Sequence, residues 1–127
     1  MHRWLLTALV LALGACAVFE GPSARYVVFY TEFSAKLDDS AHAVVAAAAA
    51  FANRHPEQPV VVSGFADPVG SVEANRDLSR TRAQVVADDM VASGVGVGRI
   101  RVLARGEVPF AGSSQESRRV GIVVGNP

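Results

Sequence analysis

The sequence predicts an α+β domain whose six elements follow one another in the order β-α-β-α-β-β. Two short runs rich in β-branched, aromatic and apolar residues, YVVFY and PVVVSGF, are typical of strands. Two longer segments carry apolar side chains at helical spacing, and each begins at a capping residue. Two further strand-like runs close the chain. With 127 residues, the chain has the length of one small domain.

Charge and residue content exclude several classes of function. The twelve Lys and Arg residues are balanced by twelve Asp and Glu residues, so the composition lacks the basic footprint of a nucleic-acid-binding protein. The three histidines have no cysteine or acid at ligand spacing, so we expect neither a metal nor a cofactor. Motifs for a nucleophilic serine, a Cys–His pair or paired catalytic carboxylates are missing, so we do not expect an enzyme.

Residues 1–15 are predicted to be a lipoprotein signal peptide. Trp4–Leu13 is an uninterrupted run without any charge after a short positive start, and it is too short for the ~20 residues of a membrane-spanning helix. The following Leu13-Gly14-Ala15-Cys16 resembles a lipobox, which implies that Cys16 is acylated. A plain signal peptide is the alternative, but Cys16 is the only cysteine in the chain and cannot form an internal disulfide.

The lipobox resemblance implies a lipid anchor at Cys16 and a location on the periplasmic face of the outer membrane. Ala17 rather than aspartate follows the cysteine, and by the sorting pattern of such lipoproteins this favours the outer membrane over the inner one. Residues 16–25 are then a tether, and residues 26–124 form the folded domain.

In the first half of the domain, Tyr26–Tyr30 is the first strand and about Ala41–Asn53 the first helix. Asp38–Ser40 supply the N-cap candidates, and His55-Pro56 ends the helix, because a residue before proline is pushed out of the helical region. The apolar stripe of this helix comprises Val44, Val45, Ala48, Phe51 and Ala52.

The central strand, Pro59–Phe65, is apolar throughout, which indicates an interior strand covered on both faces. Gly64 predicts a close approach of another segment to its backbone. After the turn Asp67–Gly70, Ser71 caps a helix that runs to about Ala92 and stops at Gly94. The predicted core-facing stripe of this helix comprises Leu78, Thr81, Val85 and Met90.

An acid in this turn and an arginine on the following helix are predicted to be partners. Arg82 lies on the shoulder of the apolar stripe, so it should be partly desolvated and require a partner. Asp67, at the carboxyl end of the central strand, is the expected one, and Asn75 shares a helix face with Arg82. From these residues alone, a plain strand-to-helix salt bridge and a ligand site both remain open.

The last quarter begins with a glycine-rich loop and contains two strands. In Arg99–Arg105, alternate residues are apolar and the others are mostly arginines, which predicts one buried and one wet face. Residues 108–115 are a flexible connection, and Val120–Val124 is the final strand.

Several motifs together resemble the OmpA-like C-terminal domain, a peptidoglycan-binding family. Its core is matched by Asp67-x-x-Gly70 followed by Asn75-x-x-Leu78-Ser79-x-x-Arg82-Ala83. Phe33-Ser34-Ala35-x-Leu37 resembles the first loop of the family, Gly106-Glu107 the end of its third strand, and Ser117-Arg118-Arg119-Val120 its closing Asn-Arg-Arg-Val. The likeness extends over about residues 26–124.

The resemblance implies a two-layer sandwich in which a mixed sheet has both helices on one face. It further implies an outer-membrane lipoprotein of the Pal type that binds the diaminopimelate of the peptidoglycan stem peptide. In that role Asp67 takes the ammonium and Arg82 the carboxylate of the ligand. Asn75, Arg118 and Arg119 assist them. The residues that shape the site are Gly64, Ala66, Gly70, Leu78 and Ser79.

The chain departs from the family pattern at three places. Phe65 and Ala66 replace a His-Thr pair, Ser117 replaces an asparagine, and Gly121 replaces a glutamate. The lost threonine hydroxyl removes one possible ligand hydrogen bond. Two alternatives to wall binding therefore stay open: a Pal-type module that docks a periplasmic protein, and a degenerate domain with weak wall binding.

Overall fold

The computed structural model describes residues 21–107 and 117–126. Along the chain these residues form the elements β1 (Ala24–Phe29), α1 (Asp39–Arg54), β2 (Val60–Ala66), α2 (Val72–Ala92), a 3-10 turn (Val97–Arg99), β3 (Ile100–Glu107) and β4 (Arg119–Val124). The predicted element order is confirmed, although β1 begins two residues earlier than predicted. The predictions for residues 1–15, for acylation of Cys16 and for the connection 108–115 lie outside the described residues.

The four strands form one mixed sheet in the order β1-β4-β2-β3. The two interior strands are β4 and β2. Strand β4 is antiparallel to both of its neighbours, whereas β2 and β3 are parallel. A parallel pair needs a crossover connection, and α2 supplies it. Helix α1 packs on β1 and β4, and α2 packs on β2 and β3. Both helices therefore cover the same face of the sheet, which confirms the two-layer α+β architecture.

The core lies between this sheet face and the helices. Val60 and Val62 of β2 are fully buried there, whereas Val61, Ser63 and Phe65 alternate with them and are only partly buried. The prediction that β2 is covered on both faces is therefore wrong. Its continuous apolar run reflects its position between two neighbouring strands rather than a second layer.

Local capping signals determine where the helices begin and end. The Asp38 carboxylate accepts a hydrogen bond from the Ala41 backbone N–H at 2.7 Å, and the Ser71 hydroxyl accepts one from Ala74 at 3.1 Å. Gly94, just after α2, has φ +97°, a conformation that glycine adopts without strain. These three predictions are confirmed.

The buried face of α2 differs from the predicted stripe. Of that stripe only Met90 is fully buried; Leu78 and Val85 are half-buried, and Thr81 is exposed. The residues that α2 buries are Asn75, Ser79, Arg82, Ala83, Val86, Ala87 and Met90. The helix is rotated relative to the apolar pattern because three polar side chains find hydrogen-bond partners inside. In the described ranges, no helix combines the length and the hydropathy needed to cross a membrane.

Candidate ligand-binding site

The candidate site is centred on the carboxylate of Asp67, directly after the end of β2. Its Oδ2 atom lies 3.2 Å from Nη1 of Arg118, the residue directly before β4. The same arginine donates from Nε to the Tyr30 carbonyl oxygen at 3.1 Å. The Asp67 side chain is 6% exposed and that of Arg118 is 17% exposed. The ends of β1, β2 and β4 thus meet at a nearly buried ion pair whose arginine is the more accessible partner.

Arg82 is fully buried beside this pair and is held by backbone carbonyls. Its Nε donates to Ser34 at 2.7 Å, Nη2 to Thr31 at 3.1 Å and Nη1 to Phe65 at 3.3 Å. Its guanidinium carbon lies 5.0 Å from the centre of the Tyr30 ring. The planar fork of an arginine suits several acceptors at once.

The expected Asp67–Arg82 salt bridge is therefore wrong. Among the described residues the ion-pair partner of Asp67 is Arg118. The guanidinium of Arg82 donates its hydrogen bonds to three backbone carbonyls instead of to Asp67. The Asp67 carboxylate pairs with Arg118.

The charges of the cluster still act on one another through space. Burial lowers the pKa of Arg82, while Tyr30 and Asp67 act to raise it and Arg118 to lower it. Burial also raises the pKa of Tyr30 well above its usual range, and the nearby Arg82 partly offsets this. Asp67, Arg82 and Arg118 thus form one electrostatic unit with two cations and one anion.

The loop that Arg82 holds carries an exposed aromatic ring. Phe33 lies between the bonded residues Thr31 and Ser34, has φ +56° and is 69% exposed. A turn hydrogen bond from the Ser34 N–H to the Thr31 carbonyl, 3.2 Å long, closes this loop. The left-handed region is strained for an aromatic residue. Sequence reasoning missed this feature, because phenylalanine is not a turn residue.

Asn75 orients the β2–α2 turn. Its Nδ2 donates to the Val69 carbonyl at 3.0 Å and to Oε1 of Glu107 at 2.9 Å. Gly70, in the same turn, has φ +98°. Glu107 is thus a supporting residue that the sequence analysis did not assign, although the Gly106-Glu107 match pointed to it.

Helix α2 lies very close to β2 at Gly64. A Cβ atom at that position would lie 1.9 Å from the carbonyl oxygen of Ser79, which confirms the predicted close approach. The Ser79 hydroxyl donates to the Arg76 carbonyl at 2.8 Å and accepts from the Gly106 N–H at 3.0 Å. These contacts fix the distance between α2, which carries Arg82, and the two strands beneath it.

Three of the positions that differ from the family pattern lie within two residues of Asp67 or Arg118 along the chain. Ala66 is buried, so a methyl group occupies the place of the family hydroxyl. The Phe65 ring lies under the guanidinium of Arg119, 4.2 Å from its centre. Ser117 is fully buried, and its hydroxyl has no hydrogen-bond partner among residues 21–107 and 117–126.

The structure brings Asp67, Arg82 and Arg118 together, with Asn75 as a support. Arg119 points to the opposite face of the sheet, as its contact with Phe65 shows. Beside Arg118, a cleft of about 450 Å³ runs between β1 and the start of α1. Of the three charged residues, only Arg118 lines this cleft, and Asp67 and Arg82 are buried behind it. An acid grouped with two arginines can bind a small molecule that carries both an ammonium and a carboxylate group.

Comparisons with known proteins agree with this architecture. Residues 29–120 match the sequence profile of the OmpA family. Outer membrane protein A of Shimwellia blattae is 43% identical over 56 residues, which are 43% of this chain and 23% of that protein. The peptidoglycan-binding protein ArfA of Mycobacterium bovis is 39% identical over 75 residues, which are 54% of this chain and 23% of that protein. The matches thus span about a quarter of the length of these two relatives.

A solved structure shows the same fold. The peptidoglycan-associated lipoprotein of Burkholderia pseudomallei superposes with a TM-score of 0.71 at 23% identity, over 80% of this chain and 90% of that one. At this identity the likeness concerns the fold alone.

Proposed function

Because this chain belongs to the OmpA family, we propose that it binds peptidoglycan noncovalently through the diaminopimelate of the stem peptide. We propose that it does so as an outer-membrane lipoprotein and that it tethers the envelope to the wall without catalysing a reaction. The observation that carries the proposal is the nearly buried Asp67–Arg118 pair beside the buried charge of Arg82. The peptidoglycan-binding relative ArfA supports the choice of ligand.

The pair is arranged to exchange its own ion pair for a zwitterionic ligand. The free end of diaminopimelate carries an ammonium group and a carboxylate. The ammonium replaces the Arg118 guanidinium at Asp67. Arg118 stays anchored by its bond to the Tyr30 carbonyl and turns its remaining donors to the carboxylate. Both charges of the ligand are then paired, so neither is left desolvated alone.

Arg82 contributes a hydrogen-bond donor and a buried positive charge to binding of the ligand carboxylate. Its longest hydrogen bond is the 3.3 Å contact from Nη1 to Phe65, so this nitrogen exchanges its acceptor most readily. The buried positive charge also favours an anion at the cleft, because interactions are weakly screened inside a protein. Asn75 acts through the turn that it holds, and Arg119 stays outside the site.

Co-sedimentation with insoluble sacculi tests the site. Asp67→Asn and Arg118→Gln remove one charge each with little change in shape. Each should weaken binding by about 10- to 100-fold, corresponding to about 1.5–3 kcal/mol for a charge-assisted hydrogen bond. Arg82→Lys should also weaken binding, because lysine keeps the charge but lacks the planar fork. Free diaminopimelate should compete, and walls with lysine-type stem peptides should bind more weakly by about 1–3 kcal/mol.

A matched control lies on the exposed surface of α2. Asp77 and Arg80 form an ion pair with the same 3.2 Å separation, but both side chains are more than half exposed. Asp77→Asn and Arg80→Gln should leave sedimentation unchanged. If the Asp67 and Arg118 variants sediment as well as wild type, the zwitterion model is wrong. Wild-type protein that stays in the supernatant would instead favour a degenerate domain or a periplasmic protein partner.

The lipid anchor needs a separate test, because Cys16 lies outside the described residues. Metabolic labelling with a fatty acid should mark the wild-type protein and should disappear in Cys16→Ser. The label should fractionate with the outer membrane. Labelling that persists in Cys16→Ser would rule out acylation at this residue without affecting the wall-binding proposal.

A further inference from the structure

The sheet face that points away from the helices carries four arginines. We call it the outer sheet face; it consists of the alternate strand residues that do not point to the core. Three of its arginines, Arg25, Arg101 and Arg105, are exposed, and Arg119 is partly buried over the Phe65 ring. Strand pairing puts Arg25, Val123, Val61 and Arg101 in one row across all four strands.

These arginines span the sheet. Neighbouring strands lie ~4.8 Å apart, so Arg25 and Arg101 are separated by about 14 Å across the row. Along β3, Arg101 and Arg105 are separated by about 13 Å, at ~3.3 Å per residue. The sheet surface has a shallow depression at Gly121 of β4, because this residue has no side chain and a Cβ there would meet nothing within 4 Å.

The three exposed arginines of this face have no acid beside them in the part of the chain that the structure describes. The outer-facing positions of β1–β4 contain neither aspartate nor glutamate. Glu107, the last residue of β3, follows a shift in register, pairs with the buried Ala66 and accepts a hydrogen bond from Asn75 of α2, so it faces the helical layer. Within residues 21–107 and 117–126, no carboxylate lies within ion-pair distance of Arg25, Arg101 or Arg105. Position 121, where the family pattern has a glutamate, is glycine here. The net charge of the chain is zero, so the domain is polarised, with acids such as Asp77 and Asp89 in the helical layer.

We propose that the outer sheet face docks on the anionic headgroups of the membrane in which the chain is anchored. Charge complementarity supplies the attraction, since each Lys or Arg near an anionic bilayer strengthens binding by about fivefold. Two exposed apolar side chains on the same face, Val27 (42%) and Phe29 (46%), suit the boundary between headgroups and acyl chains.

The position of the face in the chain selects a membrane over other anionic partners. Arg25 follows Cys16, the proposed acylation site, by nine residues. Nine extended residues span at most about 32 Å, so acylation at Cys16 would keep Arg25 within that distance of the membrane surface. A single acyl chain gives only marginal membrane binding, and a basic patch is a usual second contribution. The Asp67–Arg118 pair lies at the end of the sheet rather than on this face.

Vesicle binding tests this proposal in the absence of the anchor. The protein would begin at residue 16 with Cys16→Ser, which keeps every described residue. Sedimentation with vesicles of phosphatidylglycerol and phosphatidylcholine would be compared with phosphatidylcholine alone. We expect binding only to the anionic vesicles, and weaker binding at high salt. The triple variant Arg25→Gln, Arg101→Gln, Arg105→Gln should bind about 100-fold more weakly, from about fivefold per arginine.

A control variant separates the effect of the outer sheet face from the effect of the net charge of the protein. Replacing the exposed Arg54, Arg76 and Arg80 of the helical layer with glutamine lowers the net charge by the same three units. It should change vesicle binding by severalfold at most. Equal losses in both triple variants, or no preference for anionic vesicles, would overturn the proposal. So would a face variant that loses sacculus binding instead, which would assign the face to the wall. Asp67→Asn should leave vesicle binding unchanged, so this proposal and wall binding can fail independently.

Discussion

Replacing Gly64 with alanine tests the contact that sets the distance between α2 and the sheet. The new Cβ would lie 1.9 Å from the Ser79 carbonyl oxygen and 2.8 Å from its carbonyl carbon. The first distance falls about 1.5 Å short of the 3.4 Å at which ordinary van der Waals contact begins. Both atoms belong to the helix backbone, so no side-chain rotation relieves the clash. The helix itself has to move away from β2.

The energetic cost follows from that movement. A gap of ~0.5–1 Å already removes a quarter to a half of the dispersion energy between packed atoms. The buried residues Ala83, Val86 and Met90 of α2 would lose contacts of this kind. Overpacking of a core costs ~1–3 kcal/mol. The cost here should be near the upper end of that range, because the clashing atoms belong to the backbone and cannot rotate away. We expect Gly64→Ala to lower the free energy of unfolding by about 3 kcal/mol.

Urea unfolding measures this change, and Gly121→Ala is the matched control. Gly121 lies on the neighbouring strand β4, and a Cβ there meets nothing within 4 Å. Both substitutions restrict the unfolded chain equally, so their difference isolates the clash. Gly121→Ala should raise stability by about 0.5 kcal/mol. With a slope of ~2 kcal/mol/M, Gly64→Ala should lower the midpoint by about 1.5 M. Equal midpoints for the two variants would refute the close helix–sheet approach.

Three further substitutions test contacts around the site and the core. Arg82→Met should lower the free energy of unfolding by about 3 kcal/mol, because the carbonyls that it binds lose their donor; an unchanged urea midpoint would contradict this. Arg99→Met should cost about 2 kcal/mol, since its guanidinium binds three carbonyls at the end of α1 and just beyond it, whereas the exposed Arg101→Met should change thermal unfolding little. Phe33→Gly should raise stability by about 0.5 kcal/mol by relieving the φ of +56°, and Phe33→Ala should not; a less stable Phe33→Gly would mean that the ring itself stabilises the loop.

Local signals predicted the elements and their boundaries well. Ser71 caps α2 and Asp38 caps α1, because a capping side chain bonds to backbone only three residues away. Gly64 indicated a close approach, because glycine within a strand has few other uses. Such features depend on a few neighbouring residues, so the sequence alone was sufficient to predict them.

The partners of the buried arginine could not be predicted in the same way. Arg82 binds carbonyls that lie 48 and 51 residues away, at Ser34 and Thr31. Every residue has a carbonyl group, so nothing in the sequence marks these two as acceptors. In the sequence, Asp67 was the obvious candidate for the partner of Arg82, but its carboxylate binds Arg118, which lies 51 residues away.

The face of α2 that packs on the core was mispredicted for a related reason. Apolar spacing selected Leu78 and Val85, whereas the helix buries Asn75, Ser79 and Arg82. Periodicity counts polar residues as outward-facing, and it fails where each polar side chain has its own internal partner. The failure therefore coincides with the candidate site, where local rules are often broken for function.

The sheet order has a consequence for how the chain folds. Among the described strands, the edge strand β1 comes first along the chain, yet it pairs with β4, which comes last. Until β4 is available, β1 has an unpaired backbone and depends on transient contacts to avoid aggregation. Arg118 bonds to Tyr30 across 88 residues, and such nonlocal contacts form slowly. The chain therefore completes its candidate ligand site only when the entire domain has folded, and ligand binding would report on the folded domain.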